Sequence, residues 1–175
     1  MDIKLREILQ EDIKLLKPWL IERENAKWLD TFFQNEGLRD EQLAIFLIKK
    51  DRRTFMILNN EIPVGIMGIT NIDKINESGE IWSLLGNKDF RNKGIITIAY
   101  VLTLKKAFYE LHLHSINAWV AEGNFTIRVF EKLGFNVIGR QRKCHLMDGI
   151  LKDRILFDLL RDEFDEDALF KKLEI

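Results

Sequence analysis

Apolar positions at Ile3 and Leu5, followed by the mixed run Glu7 to Leu9, predict an opening strand. From Glu11 to Leu20 the spacing changes to i, i+3, i+4, which predicts a short helix that Pro18 is expected to end or bend. Glu22 to Leu29 reads as a second helical piece. Asp40 and the residues to Lys50 read as a capped helix, with an acid at its start and Lys49 and Lys50 at its end, as the helix dipole favours. Thr54 to Leu58 and Ile62 to Ile72 are rich in β-branched and large apolar residues. The turn Asn59-Asn60-Glu61 between them predicts a hairpin. Asp73 to Ser78 turns the chain once more into a strand from Gly79 to Leu85.

The stretch from Glu80 to Phe135 is the centre of the pattern. An apolar strand, Ile81 to Leu85, runs into a polar turn holding Lys88, Arg91, Lys93 and Gly94, and a long apolar helix begins there. A second strand and a second helix follow. Such a unit implies a crossover and hence a parallel or mixed sheet. Asn136 to Leu146 and Ile150 to Leu160 form a further hairpin around Met147-Asp148-Gly149. The tail from Asp162 to Ile175 is acidic and then amphipathic, the pattern of a short helix. With no internal repeat, low-complexity tract or Pro/Gly-rich linker, the chain reads as one domain, 1–175, of α/β class.

Composition narrows the function classes. Hydrophobic residues make up 46% and charged residues 31% of 175, and the formal net charge is -1, so no global field draws the chain to nucleic acid or to an anionic membrane. The single cysteine, Cys144, excludes an intrachain disulfide, and no metal-ligand spacing occurs. MDIKLREILQ lacks the apolar core of a signal peptide, and the apolar run Gly94 to Leu104 falls far short of the roughly 20 residues that span a bilayer. These features lead us to expect a cytoplasmic protein, monomeric or homodimeric, with no nucleic-acid or membrane partner.

The central loop is the first candidate for chemistry. A helix starting near Gly94 points unpartnered amides back at the loop, and its dipole adds positive potential. Gly94 allows close backbone approach, and Lys88, Arg91 and Lys93 supply cations, so the loop suits a phosphate or pyrophosphate. A solvated surface turn is the alternative. Strand alternation sets Glu80, Trp82 and Leu84 on one face and Ile81, Ser83 and Leu85 on the other. Glu80 is therefore either a base in a partly apolar cleft beside Trp82 or a solvated carboxylate. Phe32 and Phe33 either line a pocket or plug the core beneath their loop. Trp28 and Trp82 are the tryptophans expected at the cleft, with Trp19 and Trp119 in the core. Asp73 and Glu77 either bind a cationic substrate or are solvated. His112 and His114 suit packing or capping, and Cys144 and His145, adjacent in a strand, face opposite ways and do not pair.

The segment RNKGII, Arg91 to Ile96, resembles the pyrophosphate loop of the GCN5-related N-acetyltransferases: Arg or Gln, two residues, Gly, one residue, Gly or Ala. Leu111 to Phe135 is similar to that family's next strand and helix, with Asn124 at the strand end and Glu-Lys-Leu-Gly-Phe at Glu131 to Phe135. Ile62-Pro63-Val64-Gly65, Gly139 to Arg142 and Asp148-Gly149 continue the likeness over nearly the whole chain. It is strongest toward the ribosomal-protein N-terminal, spermidine and aminosugar acetyltransferases. The resemblance implies a mixed, mostly antiparallel twisted sheet of about seven strands flanked by helices, with a splayed strand pair holding acetyl-coenzyme A. It places the pyrophosphate on the amides of Arg91, Asn92, Lys93, Gly94, Ile95, Ile96 and Thr97, the pantetheine between the strands ending at Leu85 and Ala121, and Asn124 on the pantetheine. It implies an oxyanion donor at Leu84 or Leu85, and an amine acceptor for which Trp28, Phe33 and Trp82 are the candidate contacts and Glu80 the candidate base. Three positions depart from the family: Ile96 replaces a small residue, Ile127 stands where Ser or Thr is common, and Phe130 matches a Tyr that often protonates the leaving thiolate. The implied acceptor is a small-molecule primary amine such as a polyamine or aminosugar. The alternatives are a protein N-terminus and a non-catalytic acyl-coenzyme A-binding module.

Overall fold

The computed structural model of the chain describes residues 1–173, so Glu174 and Ile175, the end of the expected tail helix, lie outside the described residues. The strands are β1 (Ile3–Glu7), β2 (Arg53–Asn59), β3 (Ile62–Asp73), β4 (Ser78–Leu85), β5 (Ser115–Ala121), β6 (Asn136–Met147) and β7 (Ile150–Leu160). The α-helices are α1 (Ile13–Ile21), α2 (Arg23–Ala26), α3 (Asp40–Leu47), α4 (Ile95–Lys105), α5 (Thr126–Leu133) and α6 (Glu166–Leu173). Pro18 neither ends nor breaks α1, which runs on to Ile21. α2 is one turn rather than the eight residues expected, and α6 begins at Glu166, after a 3-10 turn at Arg161–Glu163.

One seven-stranded sheet has the order β1-β2-β3-β4-β5-β7-β6. All its pairs are antiparallel except β4–β5, which the crossover through α4 makes parallel. Both hairpin turns place their central residues at positive φ, Asn60 and Glu61 at 48° and 65° and Asp148 and Gly149 at 50° and 80°; Asn, Asp and Gly take that conformation readily, and Glu61 is the exception. Alternation along the strands buries the sheet on both faces. Ile57, Val64, Met67, Ile69 and Ile81 pack with Tyr100, Leu104, Phe108 and Phe130 of the α4–α5 side. Met56, Leu58 and Ile66 pack on the other face with Leu16, Leu20, Phe33 and Leu43 of the α1–α3 side.

The parallel pair carries the site. β4 and β5 are paired only from Ser78–Ser115 to Glu80–Asn117, and beyond Glu80 they diverge. β4 stays in regular register with β3 from Thr70–Glu80 to Gly65–Leu85, so the opening involves no extra residue in β4 over that span. At the far end β3 and β4 come so close that a Cβ on Gly65 would lie 2.4 Å from the Leu84 carbonyl oxygen and 3.1 Å from the Leu85 Cα. Both obstacles are backbone and cannot turn away. Gly65→Ala is therefore expected to lower stability by about 1–3 kcal/mol, measurable by urea denaturation, because β3 or β4 must shift.

Candidate active site

The gap between β4 and β5 continues into a cavity of about 1020 Å³. Its floor is β4 from Glu80 to Leu85, one wall is the loop and first turns of α4, and another is α5 with the β5–α5 turn. The roof comes from α2 and the Thr31–Gln34 turn.

At one end, Gly94 sits at φ 74° and caps α4. Such a left-handed residue is most readily Gly, and here its missing Cβ faces open space, with no atom within 4 Å. The Gly94 carbonyl accepts from Thr97 and Ile98 at 3.1 and 3.2 Å. The amides from Asn92 to Ile96 have no backbone acceptor among the described residues. Ile96, which stands where the family has a small residue, packs partly buried against the core of the α4–α5 side and still leaves its amide at the helix start. Arg91, Lys93, Arg128 and Lys132 all line this end. Arg91 is held by its Nη2, which donates to Asn25 Oδ1 at 3.2 Å, and Asn25 is itself buried and donates to the Trp19 carbonyl and to Glu22. A second tie from the loop to this segment is the ion pair of Lys88 with Glu22. An anion cradle of free amides, an open glycine and four cations suits a pyrophosphate.

Asn124 lies where β5 gives way to α5. Its Oδ1 accepts from the Thr126 amide at 2.8 Å just before α5, and this leaves its side-chain amide N–H groups as the donors toward the cavity. Ile127 is partly buried against the core rather than replacing a polar contact in the cavity. Phe130 is fully buried, with its ring 5.1 Å from that of Tyr100 and 4.6 Å from that of Phe135.

The other end is acidic and aromatic. Glu80, Asp30 and Glu24 line it, together with Trp28, Phe33, Phe46 and Trp82. Phe33 is both the core plug and part of the cavity wall: it is 2% exposed and stacks edge-on with Phe32 and Phe46, yet one side meets the cavity beside Trp82 at a ring distance of 5.5 Å. Trp82 is seated across Gly68, its partner on β3. Arg52 reaches this end as well, stacked 3.8 Å from the Phe46 ring and 3.7 Å from Asp51.

Glu80 is mostly withdrawn from water, and burial raises its carboxyl above the ordinary glutamate value. The Trp119 indole N–H hydrogen-bonds the carboxylate and opposes that rise, Asp30 adds to it, and Arg154 acts against it. Trp119 was expected in the core but lines the cavity, because β5 alternation turns Ile116, Ala118 and Val120 to the α4–α5 side and Trp119 to the opposite face. Nothing in the sequence singles out Arg154, or joins it to His145. The β5–β7 register brings Arg154 over the Trp119 ring at 3.7 Å, and the guanidinium donates to His145 Nδ1 at 3.1–3.3 Å. His145 is buried, and its Nε2 is 2.6 Å from the Lys27 carbonyl, so Nε2 carries the hydrogen and Nδ1 is the acceptor. Cys144 next to it is exposed and does not meet the imidazole. His112 and His114 are both exposed and away from the cavity, rather than packed. Asp73 holds its own turn, accepting from Ile75 and Asn76, and neither it nor Glu77 lines the cavity.

The structure thus brings Glu80, Trp28, Phe33 and Trp82 into one cavity with Leu84, Leu85, the loop Arg91 to Thr97 and Asn124. Trp119→Phe removes the indole N–H that favours the Glu80 carboxylate. The Glu80 pKa is expected to rise further, which a direct titration by carboxyl-carbon NMR reads.

Residues 2–136 match the acetyltransferase (GNAT) domain family. The chain belongs to that family, and its activity is acetyl-coenzyme A-dependent transfer of an acetyl group to nitrogen. A Bacillus subtilis (strain 168) protein with the name "Putative ribosomal N-acetyltransferase YdaF" is 28% identical over 171 residues, which cover 93% of this chain and 87% of that protein. Among solved structures, spermidine N-acetyltransferase from Vibrio cholerae in complex with CoA and spermine superposes with a TM-score of 0.83 at 18% identity, over 92% of this chain and 96% of that one. Mycobacterium smegmatis RimJ in complex with CoA-disulfide gives 0.81 at 19% identity, over 98% and 89%. At those identities the two structures establish the fold.

Proposed function

We propose that this enzyme acetylates a primary amine of a small cationic molecule, a polyamine or an aminosugar, with Glu80 as the base. The observation that carries the proposal is the half-buried Glu80 carboxylate at the point where β4 and β5 part, with Asp30 near it and tryptophans around it. An alkyl ammonium has no lone pair, and a lysine-like amine loses its proton only near about pH 10.4 in water. It must therefore be deprotonated at the site. A carboxylate whose pKa is raised toward the working pH is a stronger acceptor for that proton than an ordinary one. Trp28, Phe33 and Trp82 supply faces on which an alkyl ammonium packs favourably.

Acetyl-coenzyme A brings an activated acyl group, and the residues present fit it. The amides of Asn92 to Ile96, with the Arg91 and Lys93 side chains, would hold the pyrophosphate, whereas the amides of Arg91 and Thr97 already donate to the Lys88 and Gly94 carbonyls. Leu84 and Leu85 on one side and Ala121 on the other would flank the pantetheine, and Asn124 would donate to it. An amide of Leu84 or Leu85 would be the donor to the thioester oxygen. The acceptor's proton goes to Glu80 and from there to solvent.

A second reading, a protein N-terminus as acceptor, draws on the names of YdaF and RimJ. Release of coenzyme A thiol from acetyl-coenzyme A, followed in turn with spermidine, spermine, glucosamine and peptides bearing free N-termini, separates the two. Turnover of the small amines with silent peptides is the expected result. Turnover confined to the peptides overturns the small-amine assignment.

A further inference from the structure

Behind the acceptor end of the cavity, Trp119, Arg154 and His145 run diagonally across β5, β7 and β6 on the Glu80 face of the sheet. Arg154 is paired with Ala121, two residues beyond Trp119, and Lys152, two residues before Arg154, is paired with His145. The three side chains therefore share a face and meet in turn. The Arg154 guanidinium lies 3.7 Å from the centre of the Trp119 ring, and its Nε and Nη2 reach His145 Nδ1 at 3.3 and 3.1 Å. His145 is 1% exposed and is fixed by the Lys27 carbonyl, 2.6 Å from its Nε2. Arg154 stands outside the cavity lining, whereas Trp119 and Glu80 are part of it.

An indole beside a cavity can turn, and its N–H favours the Glu80 carboxylate only in one orientation. A planar guanidinium laid on the ring restricts that freedom, and here the guanidinium is itself held at two nitrogens by an imidazole that hydrogen-bonds the backbone just after α2. Among the described residues no carboxylate pairs with Arg154, so an ion pair does not account for its place. Its charge opposes the effect of burial on Glu80, and Asp30 from the roof acts the other way. Glu24 and Arg52 are the further charged side chains that line this end, and from β3 the Thr70 hydroxyl donates to the Glu80 carbonyl.

We propose that Arg154 is a positioning residue: stacked on Trp119 and anchored by His145, it holds the indole N–H on the Glu80 carboxylate. The inference rests on the reading of Glu80 as the base and adds the residues behind the cavity wall that fix its hydrogen-bond partner. Arg154 acts through Trp119, and no bond is made or broken at Arg154 or His145. A carboxylate that keeps an oriented N–H stays ionised, and so able to accept a proton, to lower pH than one left to burial alone.

The test uses the purified protein with neither acceptor nor cofactor. Carboxyl-carbon NMR follows the Glu80 titration, and the Trp119 indole N–H resonance follows it from the other side, in the parent, Arg154→Lys, Arg154→Met and His145→Phe. In the parent the indole resonance is expected to shift at the Glu80 midpoint. Arg154→Lys keeps the charge but loses the planar stack and the two-nitrogen contact with the imidazole. It is expected to raise the Glu80 midpoint by about one unit, the size of a lost hydrogen bond to a charged group, and to uncouple the indole resonance from it. Arg154→Met is expected to raise the midpoint at least as far, and His145→Phe to raise it by less. In Trp119→Phe, which has no N–H to hold, Arg154→Lys is expected to add little. A parental midpoint in Arg154→Lys overturns the inference, whether or not Arg154→Met moves it, and so does a full second shift on top of Trp119→Phe. Should His145→Phe fail to fold, the variants at the half-buried Arg154 decide alone. A midpoint raised by Arg154→Lys, together with parental turnover in Glu80→Gln, overturns Glu80 as the base and leaves the positioning standing.

Discussion

Glu80→Gln is expected to lower kcat/KM for the amine acceptor on the order of 100-fold or more, the range of a lost general base. The substitution keeps an acceptor for the Trp119 indole N–H, so the cavity changes its charge and not its shape. The pH profile separates a base from a bystander. In the parent, activity is expected to fall on the acid side with a midpoint above the ordinary glutamate value, because burial raises the Glu80 pKa, and this limb is expected to be absent in the variant. Stability moves in the opposite sense. A carboxyl whose folded pKa lies above its unfolded pKa contributes stability that is complete below the unfolded pKa and is lost as pH rises through the folded one. Glu80→Gln is uncharged throughout, so it is expected to melt above the parent at neutral pH, with the gap closing as pH falls. A loss of activity below threefold with an unchanged acid limb removes Glu80 from the reaction.

The second large effect belongs to Gly94. Gly94→Val places a β-branched residue at φ 74°, and the side chain enters the open space before the free amides of the loop. The left-handed conformation costs roughly 1–2 kcal/mol for an ordinary residue. Loss of two hydrogen bonds to a charged group, each about 1.5–3 kcal/mol, corresponds to coenzyme A binding weakened at least ~100-fold. Gly134→Val is the matched control. Gly134 is also left-handed, at φ 87°, and also faces open space, but it ends α5 outside the cavity lining. Isothermal titration is expected to give near-parental affinity for Gly134→Val and a large loss for Gly94→Val. Equal losses in the two variants mean that backbone strain, and not the cradle, sets the affinity.

What the sequence disclosed follows its local physics. Alternation from Glu80 to Leu85 separates the base face from the Ser83 face, and a strand, a basic turn, Gly94 and an apolar run mark the helix that starts at the loop. The turn at Asp148-Gly149 is legible because few residue pairs accept positive φ at both central positions, and the one at Asn60-Glu61 because Asn60 does and β-branched strands flank it. Long-range register is a different matter. Nothing near Trp119 distinguishes a cavity tryptophan from a core one until β7 lies beside β5 and sets Arg154 on its ring. Phe33 admitted two readings, core plug and cavity wall, and the ring serves as both. Pro18 does not end the helix: a proline removes one helix hydrogen bond, but α1, with Leu16 and Leu20 both fully buried, continues past it to Ile21.

The measurement that bears most directly on the whole account is residue-resolved amide NMR of the protein, titrated first with coenzyme A and then with spermidine. The predicted result is a first set of shifts confined to Asn92 to Thr97, Leu84, Leu85, Ala121 and Asn124. A second set follows at Glu80, Trp28 and Trp82 and at the Trp119 indole N–H. Shifts that gather instead at the small depression formed by Leu5, Arg53, Phe55 and Lys106, or loop amides that stay unmoved at saturating coenzyme A, contradict it.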